Sequence, residues 1–525
     1  MRFAALQYPS RTLVGRVPGR AGTIAARSRG TTASSLSFVA VVLLAGCTKQ
    51  PATPGPSNWS HVNVLIPGRE VGFTSPNSPG RQAYNEWIAK HADAVETQMD
   101  TYRANINDHN APYLKRLNPA IRTVGYDNDL TMSQVPELAS LPEDFYLHFS
   151  EDTRLQWGGL TVDIPGSPVG LPPLPASRVQ FYDGLSSKWL PYLGSPQWQL
   201  WYANHLVDEM AHDFRTGDAN PIDILELDEH FDTIGDVMRL YSLTTIVSGG
   251  GIREYGGLVP AIVRSAGSPI DVPWHADVIS WLTYLQGRLA AAHKSAQINI
   301  GEYLAHPGYR DQVMAIRGAV AEMVGSPFHN AVATPALYEQ VIDFIAQLTA
   351  VGGTINLQPG AFSAAVPANY TGGNYRGPLE RAKMWNLADY YIVKEAVGQS
   401  GVVFFDPQIP ETPDLAAFTA EWLKAYEKDI GQPVGPATSY QEGKVPGTAQ
   451  AYKIFGRKYS KALVLVRTRD DWGATEYGDA TAATVRLPGP MVMLKADGTF
   501  SLPMNSVRIR NAEAVIMLAE PSLGP

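Results

Sequence analysis

At 525 residues, 45% hydrophobic and 18% charged, the chain has the apolar content of a large folded protein and not the composition of a disordered one. Its formal net charge of -8, with no basic patch interleaved with aromatics, argues against a polyanion such as nucleic acid as a partner. The 11 tryptophans and 24 tyrosines offer flat amphipathic faces suited to stacking on sugars, although core packing uses the same rings.

Residues 1–46 hold six arginines and no acidic residue, and they end in the apolar run SFVAVVLLAG directly before Cys47, the single cysteine. A charged region, a short apolar run and small residues at the cut are the parts of an export signal. LAGC resembles the bacterial lipoprotein signal. That resemblance implies cleavage before Cys47, a lipid on its sulfur, export, and anchoring at the membrane surface of the cell envelope. An ordinary secretory signal with a chance cysteine, or a short core helix, is the plainer account. Loss of the six arginines takes the formal charge from -8 to -14. No other stretch approaches the roughly 18 apolar residues that span a bilayer, so the expected attachment is through the lipid. A lipidated Cys47 leaves no disulfide and no thiol nucleophile. Residues 47–58 then read as a Pro-rich tether.

Beyond the tether, short β-type runs alternate with helical patterns. The strand candidates in chain order are VNVLI (62–66), DAVETQ (93–98), IRTVGYD (121–127), IDILELD (222–228), QINIG (297–301), GAVAEMV (318–324), GTINLQ (353–358) and GVVFFD (401–406). Helical patterns over 80–91, 196–214, 276–294, 335–350 and 378–397 separate most of them, with Ser195 as an N-cap and Pro196 at the first helical position. Eight β/α repeats predict an α/β fold, a (β/α)8 TIM barrel over 59–436, with its active site where strands end and loops begin. Two connections, 130–195 and 231–275, are too long for simple barrel loops and read as lids or binding walls. After residue 436 the runs ALVLVRT, ATVRLPG, MVMLKADGTF and AVIMLAE follow at short spacing without helical patterns. They predict a small C-terminal all-β sandwich over 437–525.

The chemistry concentrates in ILELDE. Side chains alternate along a strand, so Leu225 and Leu227 share one face while Ile224, Glu226 and Asp228 share the other. In a barrel the leucines face the helices, which turns Glu226 and Asp228 inward with Asp228 nearer the mouth. Glu229 begins the loop, and parity assigns it no face. Inward carboxylates are costly unless paired, hydrogen-bonded or used. Glycosidic chemistry needs a second carboxylate. Glu322 is the first candidate, an isolated acid in an apolar run whose neighbours Val320 and Val324 would raise its pKa toward that of a general acid. A salt bridge to Arg317 is the plainer account of it, and Glu302 in INIGEYL is the rival. Asp127 and Asp129 in GYDNDL suit either sugar hydroxyls or an Asx turn. Asn356 and Gln358 alternate with Ile355 and Leu357 and are expected to line the pocket. Tyr126, Tyr182, Trp189 and Tyr303 fall on the same side, whereas Trp198, Trp201 and Tyr202 lie at helical spacing and read as core.

The run from NPAIRTVGYDND through YDGLSSKWLPYLGSPQWQLWYANHLVDEM and DILELDE to GAVAEMV resembles the glycoside-hydrolase-like TIM-barrel families related to α-amylase-type and endo-polygalactosaminidase barrels. WLKAYEKDIGQPVG, followed by AYKIFGRKYSKALVLV, resembles their passage from barrel to C-terminal β-domain. In these families an aspartate closes the fourth strand, the place Asp228 occupies. Relatives often follow it with asparagine, where this chain has Glu229 and His230. The resemblance implies a barrel hydrolase of glycosidic bonds, and parity singles out the same strand. The expectation is a two-carboxylate enzyme of an extracytoplasmic polysaccharide, with Asp228 as nucleophile or base, Glu322 as acid, Glu226 beneath Asp228, and no cofactor or metal. A non-catalytic glycan-binding lipoprotein is the alternative. A metal-dependent hydrolase built on Asp228, Glu229 and His230 is a third reading, and the chain has no GxSxG elbow, P-loop or HExxH pair.

Overall fold

In the computed structural model of this chain, the described residues are 62–67, 79–99, 111–127, 132–133, 138, 140–157, 160–163, 178–182, 187–212, 219–228, 245–257, 271–301, 304, 306–322, 334–358, 368, 370, 375–407, 414–469 and 477–519. They all fall in one compact unit, Lys49–Pro525. The signal segment, the tether, Cys47, Asp129, Glu229, His230, Glu302 and Tyr303 lie outside the described residues.

Eight parallel strands form the centre: β1 (Leu65–Pro67), β2 (Ala94–Gln98), β3 (Arg122–Asp127), β4 (Ile224–Leu227), β5 (Ser295–Gly301), β6 (Gly318–Glu322), β7 (Thr354–Gln358) and β8 (Val402–Phe405), adjacent in that order. A parallel bridge between Val64 and Phe405, with Phe405 N–H donating to Asn63 O at 2.8 Å, joins β8 back to β1 and closes the barrel. A described helix follows each strand: α1 (Pro79–His91), α2 (Ala111–Leu117), α3 (Pro196–Glu209), α4 (Asp271–Ala291), α5 (Pro307–Ile316), α6 (Pro335–Ala350), α7 (Pro378–Val393) and α8 (Leu415–Ala420). This is the (β/α)8 TIM barrel that the alternation predicts.

Local chemistry explains where the elements begin. Prolines 196, 307, 335 and 378 open α3, α5, α6 and α7, where a missing N–H costs nothing. Ser195 and Thr334 accept the orphan amides of Trp198 and Leu337 at 3.3 and 3.2 Å. Runs such as VVFF and ILEL are buried at every position, as strands covered on both faces must be. The short helices α2, α5 and α8 have 7, 10 and 6 residues, too few for a clear amphipathic period in the sequence.

Leu65, Ala94, Val124, Ile224, Val402 and Phe404 fill the lower barrel as an apolar plug. The opposite faces of the strands pack on the helices as the main core, where Trp198 is fully buried. The two long connections are knitted together. Thr245–Ser248 from the second pairs antiparallel with Arg154–Trp157 from the first, and Phe149 bridges to Ile252. Gly249 makes this contact possible: its φ is +105°, and a Cβ there would meet Asp152 O at 1.9 Å.

The chain ends in an antiparallel sheet of β9 (Thr438–Lys444), β10 (Ala451–Lys458), β11 (Ala462–Arg467), β12 (Ala483–Met493), β13 (Met504–Ile509) and β14 (Ala514–Ala519), ordered β9-β10-β11-β14-β12-β13. One face, with Phe455, Val464, Val466, Ile516 and Leu518, joins the barrel's core. The other, with Ile454, Leu465, Val485, Val507 and Met517, is buried by residues of the same sheet, which shifts register within β12 between Arg486 and Met491. ATVRLPG and the MVM of the following run are therefore one strand. ADG makes the turn after it, with Gly498 at φ +77°. β9 and β13 carry too many exposed polar residues to stand out in the sequence.

Candidate active site

Glu226 and Asp228 both face the barrel interior. Glu226 sits in register between Tyr126 of β3 and Gln297 of β5, and Gln297 Nε2 donates to Glu226 Oε2 at 2.7 Å. Asp228, one step past the end of β4, is only half-buried and lies at the C-terminal mouth, where barrel enzymes place their chemistry. Both its oxygens are engaged from the flanking strands: Tyr126 Oη donates to Oδ2 at 2.5 Å and Asn299 Nδ2 to Oδ1 at 2.9 Å. Its backbone N–H donates to Asp127 O at 2.9 Å. The carboxylate is thereby held in one orientation by two donors, the arrangement that suits an acceptor-only group.

The other candidates distribute differently. Glu322 closes β6 in register with Gln358, and its side chain is not among the described atoms. Asp127 pairs with Leu227 and so lies on the helix side of β3, where Tyr202 Oη of α3 donates to it at 3.0 Å. It ties strand to helix and does not face the mouth. Asn356 does face inward, in register with Val320 and Phe404, but it is 0% exposed, beneath the mouth and not in its wall. Trp189 is buried too: Arg178 lies 4.9 Å from its ring and 3.8 Å from that of Tyr146. Asn299 and Gln297 were not singled out from the sequence. The signal was there, because in QINIG they alternate with Ile298 and Ile300 just as Glu226 alternates with its leucines.

The joined connections are anchored by charge. The buried His148 imidazole has Glu254 Oε1 2.6 Å from Nδ1 and Glu143 Oε2 3.1 Å from Nε2, which ties the first connection to the second. The Arg178 hydrogen bond, with a smaller contribution from His148, holds the Glu143 carboxyl below its usual range. Tyr255 Oη donates to Asp277 Oδ2 of α4 at 2.9 Å. Burial raises that carboxyl's pKa despite the bond. At the other end of the barrel, Lys115 bonds Asp223 at 2.5 Å and Asp223 also accepts from Thr123 N at 2.9 Å. Burial lowers Arg122 there to about 10 and Lys394 to about 8. That face is remote from the mouth, and charge pairing on it serves stability.

No family model matches the chain, and no curated protein sequence matches it. Among solved structures it is similar to the PgaB (BpsB) glycoside hydrolase domain from Bordetella bronchiseptica, at 12% identity over 57% of this chain and 84% of that one, with a TM-score of 0.32. It is also similar to an α-galactosidase from Lactobacillus brevis, at 10% identity over 87% of this chain and 55% of that one (TM-score 0.43). A glucosidase from Croceicoccus marinus matches at 8% identity over 87% and 99%, with a TM-score of 0.34. These likenesses are loose.

Proposed function

We propose that the chain is a glycoside hydrolase that cleaves glycosidic bonds of an extracytoplasmic polysaccharide. Asp228 is its nucleophile or general base and Glu322 its general acid. Residues 59–436 form the catalytic barrel, residues 437–525 its β-module, and a lipid on Cys47 anchors the protein to the cell envelope. The observation that carries the reading is Asp228 itself: a half-exposed carboxylate at the barrel mouth, each oxygen fixed by a donor from a different neighbouring strand. Orientation of this kind is what a reacting carboxylate requires, since small misplacements cost large rate factors. Strand β6, two positions round the barrel, brings Glu322 to the same end. A carboxyl separation of about 5 Å would retain anomeric configuration, and one of about 6.5–9.5 Å would invert it.

The test is release of new reducing ends from a panel of bacterial and plant polysaccharides by the detergent-solubilised chain, with Asp228→Asn and Glu322→Gln alongside. Release by wild type that drops by about 10²–10⁴-fold in each variant, with glycan binding retained, is expected. Undiminished turnover in Asp228→Asn would remove Asp228 from the chemistry. Binding without hydrolysis in wild type would make the protein a glycan receptor.

A further inference from the structure

Beneath Asp228 the barrel interior changes from apolar to oxygen-rich. Following the strand pairs once round the barrel, the register slips by about eight residues, so alternate strands supply each layer of inward side chains. By that stagger Gln297 of β5 and Asn356 of β7 share a layer with Leu65 and Val124, at the top of the apolar plug. Glu226 and Glu96, on β4 and β2, share the next one up. All four are at most 1% exposed.

The amides of the lower layer are incompletely used. Gln297 spends an N–H on Glu226 Oε2, and its own Oε1 has no protein partner. Asn356 is bonded through neither Oδ1 nor Nδ2. A buried amide atom left unmade costs about 1–3 kcal/mol, so three of them in one layer point to a guest. The two amide oxygens, with the Glu226 carboxylate bonded to Gln297 from the layer above, make a set of oxygen donors of the kind a hard cation takes. Among the described residues no three His, Cys, Asp or Glu side chains gather at metal-site spacing. The ion would therefore be held chiefly by neutral oxygens, which rules in weakly bound ions and disfavours zinc, whose sites use nitrogen and sulfur.

We propose that this layer is a cation site, in which the amide oxygens of Gln297 and Asn356 and the carboxylate of Glu226 ligate sodium, potassium or calcium, with Asn356 Nδ2 donating to a water of the ion's shell. The site is independent of the proposed hydrolysis, and it is read without substrate. Thermal unfolding of the full chain would be followed in tetramethylammonium chloride and in sodium, potassium and calcium chlorides at matched ionic strength. One of the three ions should raise the midpoint saturably, by about 2–4 °C near a hundredfold excess over its Kd. Asn356→Leu should abolish that shift. Asn356→Asp, which adds a charged ligand of the same size, should lower the half-saturating concentration by about tenfold, and it serves as the test if the leucine variant does not fold. A wild-type midpoint identical in all four salts would identify water alone as the guest and overturn the proposal. So would a shift that persists unchanged in Asn356→Leu, since that marks surface binding.

Discussion

The reactivity proposed for Asp228 depends on two side chains that orient it. Tyr126 and Asn299 each hold one carboxylate oxygen, and a hydrogen bond to a charged group contributes about 1.5–3 kcal/mol. Tyr126→Phe and Asn299→Leu should therefore each lower kcat by about 10–100-fold while leaving KM within a few-fold, as expected when the interaction lost is one that orients the reacting group. Steady-state kinetics on the two variants checks this. Equal losses in kcat and in thermal stability would reduce both residues to scaffolding. The inward face of β4 was legible from ILELDE because strand parity is a local property. The two donors were not, because a pairing such as Tyr126 with Glu226, or Glu226 with Gln297, is set by register between strands far apart in sequence. Asp127 shows the same limit from the other side. Its sequence suits a binding turn, and only the register with Leu227 reveals that it faces α3.

At the scale of elements, α7 is unusual: Arg381 through Val393 are all buried, so the helix is covered on every side. Its sequence carries the expected helix, but the polar residues Lys383, Asn386 and Asp389 gave no hint of full enclosure. Enclosure has a cost at Asp389. Burial pushes this carboxyl up to about 7, against the lowering effect of the hydrogen bond it accepts from Tyr338 of α6. Unfolded, it would titrate near 3.9. The folded chain therefore keeps a proton that the unfolded chain releases, so this group favours folding at low pH. Its contribution is lost progressively as pH rises from about 4 through about 7, and is gone above that. Asp389→Asn removes the titration. Wild type should lose more thermal stability than the variant between pH 5 and pH 8, as followed by circular dichroism melts. Parallel declines would mean that the aspartate is already ionised at pH 5.

The whole molecule raises the question of whether its barrel stands alone. The break in composition after residue 436 suggests a separable β-domain, and the contacts of α7 argue the opposite. Arg457 of β10 donates to Tyr391 O and Ile392 O at 3.2 and 3.1 Å and also to Lys394 O, capping the helix's last carbonyls. Arg381 Nη2 donates to Asn511 O at 2.8 Å, Trp385 Nε1 to Arg467 O at 3.2 Å, Tyr375 Oη to Ala514 O at 2.5 Å, and Tyr459 Oη to Tyr391 O at 2.6 Å. Ending the chain at residue 437 strips these partners from groups that fold into the interior. At about 1–3 kcal/mol for each one left unsatisfied, the loss is comparable with the 5–15 kcal/mol by which a folded protein exceeds its unfolded chain. The apolar face of α7 would be exposed as well, a contiguous patch of the sort that drives association. A chain truncated after residue 437 should therefore show no cooperative thermal transition, and should bind a hydrophobic dye at temperatures where the full chain does not. A truncated barrel that melts cooperatively within a few degrees of the full chain would show instead that α7 is held by the barrel alone, with the sheet an accessory resting on a finished structure.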